Sequence, residues 1–289
     1  MKSYPEIDRL RGYSSAFSRS VFSDIMEYDD YSRLDTLFKR YDSERLKEKT
    51  YFDYLKYAYR TIAKHYKCEY VYKNEIINKL LLKEYGTQDT IVINEFRVQN
   101  SIVDFALFNG ESKAFEIKTE YDSRKRLDSQ IQDYAKLFQK CYIVIPESLQ
   151  QQYKECTLNK NVGIIILLTE NGNIKLKEVR KAIANKRVDV DVLMRSIRTN
   201  EYKNIVSEYF GKLPNVSCFE MFEKCQKKIK QIPQKDLQKL VLDEIKKRKT
   251  NTQFLIKYPK EIRQMCLSLN LTWEQYVSLS EKLNNPIIA

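Results

Sequence analysis

The stretch "VDFALFNGESKAFEIKTEYD", Val103 to Asp122, limits the fold more than any other part of this chain. Apolar and polar residues alternate on both sides of Asn109-Gly110, as in two antiparallel strands joined by a tight turn. Asp104, Glu116 and Lys118 interrupt the pattern by standing inside the apolar runs, where an unpaired charge is costly. Side chains two apart on a strand share a face, so Glu116 and Lys118 point the same way. With Gly110 in the left-handed region of a three-residue loop, Phe108 pairs with Ser112 and Asp104 falls opposite Glu116. Opposed residues lie about 4.5–5.5 Å apart at Cβ. Two carboxylates that close repel each other, and a divalent cation between them removes that cost; oxygen ligands suit Mg²⁺ or Mn²⁺. Lys118 beside such an ion can orient a water or help to deprotonate it. Glu75, on the preceding helix, can add a carboxylate to the metal shell. This set of groups suits metal-assisted hydrolysis of a phosphodiester.

The flanking sequence sets the fold class. Residues 1–69 read as helices, with Phe17, Val21, Phe22, Ile25 and Met26 on one face and Tyr51, Tyr54, Leu55, Ala58, Tyr59 and Ile62 on another. The tyrosine stripe reads as packing rather than as a stacking platform for bases. "VYKNEIINKLLLKEYG" is a further helix, with Ile76, Ile77, Leu80 and Leu81 inward and Gly86 at its end. Strands are expected over 91–98, 101–108 and 113–120, then a polar helix over 124–139. A buried strand follows over 141–146, then a short helix, a strand over 162–168 and a hairpin return through Asn171-Gly172. The result is a mixed α/β sheet with flanking helices. Beyond about residue 185 the chain turns helical and basic, and "LTWEQY" starts a helix with a Thr272–Gln275 capping box. These helical ends either form lobes of their own or pack on the sheet.

Scarcity excludes much chemistry. His65 is the only histidine, which removes Ser-His-Asp and Cys-His catalysis and metal motifs built on two histidines. The chain has six glycines and neither a G-x-x-x-x-G-K-[ST] nor a G-x-G-x-x-G motif, so P-loop and Rossmann nucleotide sites are disfavoured. Six cysteines, Cys68, Cys141, Cys156, Cys218, Cys225 and Cys266, form no C-x-x-C pair. With no signal peptide and no apolar run near the roughly 18 residues of a membrane span, reduced thiols in a cytoplasm are expected and a membrane is not.

On these residues the chain resembles the PD-(D/E)XK nuclease superfamily. "IVD" (102–104) followed by "FEIK" (115–118) is similar to its Asp…Glu-x-Lys signature. The run "EIKTEYDSRKRLDSQIQDYAKLF" is similar to a little-characterised bacterial and prophage branch, with Asp122, Arg126, Leu127 and Gln130 at the branch's positions. The resemblance covers residues 70–185. It implies a restriction-endonuclease-like core between helical extensions, 1–69 and 186–289. It also implies Asp104, Glu116 and Lys118 as catalytic residues, with Gln130 beside them and Mg²⁺ (or Mn²⁺) as metal. Many relatives carry an Arg where this chain has Ile102, so phosphate handling is expected to differ. Glu95 is a rival ligand that reads better as a surface strand residue, and Glu120 and Asp122 are expected at the rim of the site.

The expected function is a Mg²⁺-dependent nuclease acting on DNA in preference to RNA; the alternative is a nucleic-acid- or protein-binding module on a nuclease-like fold in phage–host conflict. The net charge of +12 suits a polyanionic partner. Arg126 and the run Lys246, Lys247, Arg248 and Lys249 are the candidate phosphate contacts, against the plain reading of a solvated basic face. Cutting two strands commonly takes two active sites, so a homodimer is expected.

Overall fold

The computed structural model describes residues 6–44, 49–155, 160–171 and 173–287. Cys156 and Gly172 of the expected hairpin return lie outside the described residues. The chain divides into two compact units, Gln88–Leu168 with Lys177–Thr250, and Met1–Thr87 with Thr169–Leu176 and Asn251–Ala289. This division differs from the three successive segments read from the sequence. Residues 70–87 and 251–289 belong with the N-terminal helices, and 186–250 belong with the strands.

The sheet has six strands in sequential order: β1 (Ile91–Val98), β2 (Ser101–Asn109), β3 (Glu111–Ile117), β4 (Lys140–Pro146), β5 (Gly163–Glu170) and β6 (Asn173–Arg180). β1, β2 and β3 pair antiparallel, whereas β3, β4 and β5 pair parallel. A parallel partner requires a crossover, and the Leu127–Ala135 helix supplies it between β3 and β4. Leu127, Ile131 and Tyr134 form its buried stripe, at helical spacing. The continuous burial of β4 is that of an interior strand covered on both faces. Together these elements give the mixed α/β architecture with helical extensions expected from the sequence.

The helices Val190–Ser196, Thr199–Phe210, Cys218–Ile229 and Gln234–Lys246 are not a separate lobe. Leu193, Ile205, Ile229, Leu237 and Ile245 share one core with Phe96, Phe108, Ile143 and Tyr134.

Strand β1 changes face within its length. Ile91 and Ile93 pack against that core, and so do Phe96 and Val98, two residues of opposite parity. Between them Glu95 adopts φ +57°, a left-handed conformation rare for a residue other than glycine. Pairing passes from Asn94↔Phe105 to Phe96↔Val103 and skips Glu95 and Asp104. Asp104 therefore sits at a kink shared by β1 and β2. The turn across Gly110, at φ +63°, sets the register Phe108↔Ser112 as expected, and the β2–β3 ladder ends at Phe105↔Phe115.

The second unit is helical. The stripe Tyr51, Tyr54, Leu55, Ala58, Tyr59 and Ile62 is buried along the Tyr51–His65 helix, whose start is fixed by a Thr50–Asp53 capping box. The helix read over residues 71–86 is α-helical at Glu69–Glu75 and π-helical at Ile76–Tyr85, and Ile76, Ile77, Leu80 and Leu81 are all buried. Residues of the C-terminal stretch close on these helices. Tyr70 Oη donates to the Glu261 carbonyl at 2.7 Å, and Asn74 Nδ2 donates to that of Lys260 at 2.6 Å. Arg263 Nη1 donates to Asn78 Oδ1 at 2.8 Å.

Candidate active site

β3 runs on two residues past its last pair with β2, and this overhang creates the site. Beyond Phe105↔Phe115 the Ile117 N–H donates to Asp104 Oδ2 at 2.8 Å, a side chain in place of a strand carbonyl. On its other side β3 keeps its parallel partner: Glu116 pairs with Ile143, and the Lys118 N–H donates to the Val144 carbonyl at 2.9 Å. The rigid parallel edge thus holds Glu116 and Lys118, while the kinked strand brings Asp104 to the backbone between them. The strand ends at Ile117 rather than near Glu120, because no β2 pairing remains to extend it.

Glu116 is 2% exposed, and both its oxygens are engaged. Lys118 Nζ donates to Oε1 at 2.7 Å, and Tyr134 Oη donates to Oε2 at 2.7 Å. Lys118 Nζ also donates to Gln130 Oε1 at 3.2 Å. Two acceptors fix the ammonium and leave its third N–H for a water or an anion. The structure thus brings Glu116, Lys118 and Gln130 together, with Asp104 bonded to the backbone between the first two.

Tyr134 is the member that sequence reasoning missed, because the pattern places it only in the apolar stripe. Its hydroxyl contacts both Glu116 Oε2 and the Ile102 carbonyl, the latter at 2.6 Å. Burial raises its pKa, and the charge of Glu116, the hydrogen bond to it and the charge of Asp104 raise it further. The hydroxyl therefore stays a donor. Its position four residues after Gln130, on the same helix face, was the signal available.

Glu75 lies in the other unit. It is 6% exposed, and its Oε1 accepts from Tyr59 Oη at 2.6 Å and from Asn78 Nδ2 at 3.4 Å. Burial and the charge of Glu75 raise the pKa of the Tyr59 hydroxyl, so Glu75 is held as part of that unit's own polar interior. Glu95 is an exposed strand residue, as expected.

The donor chemistry of Asp104 and Glu116 fits a hard divalent cation. They offer oxygen ligands only, and a carboxylate oxygen that accepts one hydrogen bond keeps a lone pair. Among the described residues no group of three or more His, Cys, Asp or Glu side chains is gathered to hold a metal. A Mg²⁺ ion bound through one or two carboxylates, waters and substrate phosphates needs no such group.

The basic candidates separate. Arg126 is exposed just before the Leu127–Ala135 helix. Lys249 is exposed and Lys246 half-buried. Lys247 is exposed but bonded to Glu244 at 2.7 Å. Arg248 is not a surface cation: its Nε and Nη2 donate to Glu201 at 2.6 and 2.8 Å, and its guanidinium lies 5.5 Å from the Phe96 ring centroid. No described helix is long and apolar enough to cross a membrane.

Protein cII of Enterobacteria phage P4 is 29% identical over 131 residues, which cover 45% of this chain and 49% of that protein, so the chain spans about half the length of this curated relative. Among solved structures, the SPO1766 protein of unknown function from Silicibacter pomeroyi aligns over 51% of this chain and 93% of its own, at 17% identity and a TM-score of 0.30. A family model described as bacteriophage P4 protein cII matches residues 62–270. That match covers well over half of the sequence, and the chain belongs to the bacteriophage P4 protein cII family.

Proposed function

We propose that this chain is a nuclease of PD-(D/E)XK type that hydrolyses phosphodiester bonds, in DNA before RNA, with Asp104, Glu116 and Lys118 as its catalytic residues. The observation that carries this reading is the Lys118 ammonium held between Glu116 Oε1 at 2.7 Å and Gln130 Oε1 at 3.2 Å, next to the Asp104 carboxylate on the kinked strand. A buried carboxylate with a positioned ammonium and a second, half-buried carboxylate beside it is costly unless it does chemistry or structural work. Asp104 and Glu116 would hold Mg²⁺ or Mn²⁺, which supplies Lewis acidity toward the phosphate oxygens.

The remaining steps belong to the chain's own residues. Lys118 directs its third N–H at the attacking water or a phosphate oxygen, and its charge stabilises the negative charge that builds on phosphorus. Gln130 and Glu116 fix the lysine rotamer, and Tyr134 fixes Glu116. The water oxygen bonds to phosphorus as the ester P–O bond breaks; the water proton passes to solvent and the departing oxygen is protonated from it. Arg126, Lys246, Lys247 and Lys249 neutralise backbone phosphates, which makes affinity fall with salt. A homodimer would cut both strands of a duplex. The P4 relative supports a prophage origin, and free thiols at Cys68, Cys141, Cys218, Cys225 and Cys266 suit a cytoplasm.

The test is cleavage of linear, circular and single-stranded DNA and of RNA, with Mg²⁺, Mn²⁺ or EDTA. Glu116→Ala and Lys118→Ala are expected to abolish metal-dependent cleavage while the far-UV circular dichroism stays unchanged. Full activity in either well-folded variant sinks the assignment. Nucleic-acid binding by a wild type that cuts none of these substrates would favour a binding module.

A further inference from the structure

Residues 181–189 form neither helix nor strand; they leave β6 and cross one end of the sheet. Three backbone hydrogen bonds pin this arm. The Ile183 N–H donates to the Asn161 carbonyl at 2.8 Å, just before β5, and the Asn185 N–H to the Gln139 carbonyl at 2.7 Å, just before β4. The Asp189 N–H donates to the Lys136 carbonyl at 2.8 Å, just past the Leu127–Ala135 helix. Ala182 lies so close to the start of β5 that a Cβ on Gly163 would stand 2.9 Å from its nitrogen. Ala182 and Asn185 are half-buried and Val188 is buried, whereas Lys181, Ile183, Ala184, Lys186 and Arg187 are exposed. The arm passes at the opposite end of β3 from the catalytic centre. β3 and β4 run parallel, with Lys113 beside Lys140 and Ile117 beside Val144. The arm crosses at the Lys140 end, and Lys118 stands at the other, where its N–H donates to the Val144 carbonyl. Five residues separate Lys113 from Lys118, or about 17 Å of extended chain.

Between Lys177 and Val188 the sequence holds five cations against a single acid, Glu178. Arg180 turns inward and donates its Nε–H to the Val162 carbonyl at 2.8 Å. Lys177, Lys181, Lys186 and Arg187 are exposed, and so is Lys160, next to the Asn161 that holds Ile183. Among the described residues none of these exposed cations is paired with a carboxylate. Other lysines of the same unit are paired: Lys140 with Glu111 and Lys230 with Asp191, each at 2.7 Å, and Lys227 with Glu223 at 2.6 Å. The positive field of the arm is therefore not cancelled locally, and a polyanion gains there by releasing its counterions. A protein partner fits less well. Protein interfaces are depleted in lysine at their centres and rely on buried aromatic or apolar anchors, and the arm exposes only Ile183 and Ala184 of that kind. The pinned backbone also has little freedom left to lose on binding.

Resting on the reading of this chain as one that acts on nucleic acid, we propose that the arm is a second contact for the phosphate backbone, separate from the catalytic centre. Lys160, Lys177, Lys181, Lys186 and Arg187 hold phosphates well away from the one that reacts, and the rigid arm fixes where the strand lies. These contacts go to the backbone, so they supply affinity and position without reading sequence.

The experiment measures binding in the Lys118→Ala background, where cleavage is silenced. A fluorescently labelled blunt DNA duplex and a labelled poly-glutamate peptide are titrated by anisotropy at several salt concentrations. The arm variant carries Lys177→Gln, Lys181→Gln, Lys186→Gln and Arg187→Gln together. A control removes the same charge from exposed helix positions, with Lys212→Gln, Lys224→Gln, Lys235→Gln and Lys239→Gln. The arm variant is expected to bind the duplex more weakly and to flatten the slope of log K against log salt. The slope falls by about 0.9 for each phosphate released, about 2–4 in all. The control is expected to change the slope by less than half as much. Equal effects of the two variants would mean diffuse net charge and overturn the proposal. So would superimposable titrations of the arm variant and its parent, or poly-glutamate bound as tightly as DNA and lost to the same degree. The readout does not depend on cleavage. If the wild type cuts nothing but the arm variant flattens the slope, the arm stands and the nuclease reading falls. If the wild type cuts but the titrations superimpose, only the arm falls.

Discussion

Tyr134 carries one hydroxyl proton and faces two oxygens, Glu116 Oε2 at 2.7 Å and the Ile102 carbonyl at 2.6 Å. It links the Glu116 carboxylate to the strand that bears Asp104. Tyr134→Phe keeps the ring in the core and removes only that donor. A buried acceptor left short of a partner costs about 1–3 kcal/mol, more when it is charged. The variant is expected to unfold at lower urea and to cleave more slowly, because Glu116 is then held by Lys118 alone. Unchanged urea midpoint and cleavage rate together would show that the hydroxyl contributes nothing. The strand part of the site was legible because a period of two puts Glu116 and Lys118 on one face without knowledge of the rest of the fold. Gln130 came from the family pattern. Tyr134 escaped because a buried aromatic ring at helical spacing already has a sufficient reason to be there. The partner that gives its hydroxyl a role lies on a different element, eighteen residues earlier in the chain.

At the scale of elements, charge composition misled where packing decided. The run Lys246–Lys249 reads as one basic patch, yet the Gln234–Lys246 helix ends there and the following turn sends Arg248 inward to Glu201. The two side chains are 11% and 8% exposed, so the pair is buried, and removing one partner of a buried pair costs about 3–5 kcal/mol. The salt-slope test therefore has to spare Arg248. Lys246→Gln, Lys247→Gln and Lys249→Gln together are expected to weaken DNA binding and flatten its salt dependence, by about 0.9 in log–log slope for each phosphate no longer neutralised. Arg248→Gln is expected instead to lower the melting temperature at any salt. The pH dependence has a definite sign. Burial opposes the charge of Glu201, but the Arg248 hydrogen bonds and the Arg198 N–H outweigh it and lower the pKa below the ordinary 4.5. The stability that Glu201 contributes is thus present above 4.5 and is lost as the pH falls through the lower folded value. Glu201→Gln should unfold more readily at pH 7 and show a shallower loss on acidification. A parallel acid profile for the wild type and Glu201→Gln would rule out that linkage. Element ends were the least legible part. The helix expected from Arg124 begins at Leu127 because the Thr119–Asp122 turn and the Arg124–Tyr153 contact hold the preceding chain in other geometry.

At the scale of the whole molecule, the sequence revealed a sheet between helical ends but not which end packs with what. Patterns of period two and 3.6 report which residues are apolar, and they carry no information on which other helix a face meets. The break near residue 185 is a change in composition, not in packing, since the core that includes Phe96 and Ile143 continues to Ile245. The break in packing falls after Thr250, where the chain returns to the helices of its first 87 residues. A chain ending at Thr250 tests this. It loses the acceptor carbonyls of Lys260 and Glu261 for Asn74 and Tyr70, and the Lys282 ammonium that donates to the Met26 carbonyl at 2.8 Å. It also loses the buried Ile262, Met265, Cys266, Leu271, Leu279 and Leu283. Burying such side chains contributes about 1.5–3 kcal/mol each, and together they rival the 5–15 kcal/mol that holds a typical domain folded. The truncated chain is expected to lose hydrogen-exchange protection along Tyr51–His65, whereas β4, whose Cys141, Ile143 and Ile145 share the core that runs to Ile245, keeps its slow amides. Intact protection of Tyr51–His65 would mean that the N-terminal helices stand without the C-terminal stretch. Loss of protection in β4 as well would mean that the two units fold as one.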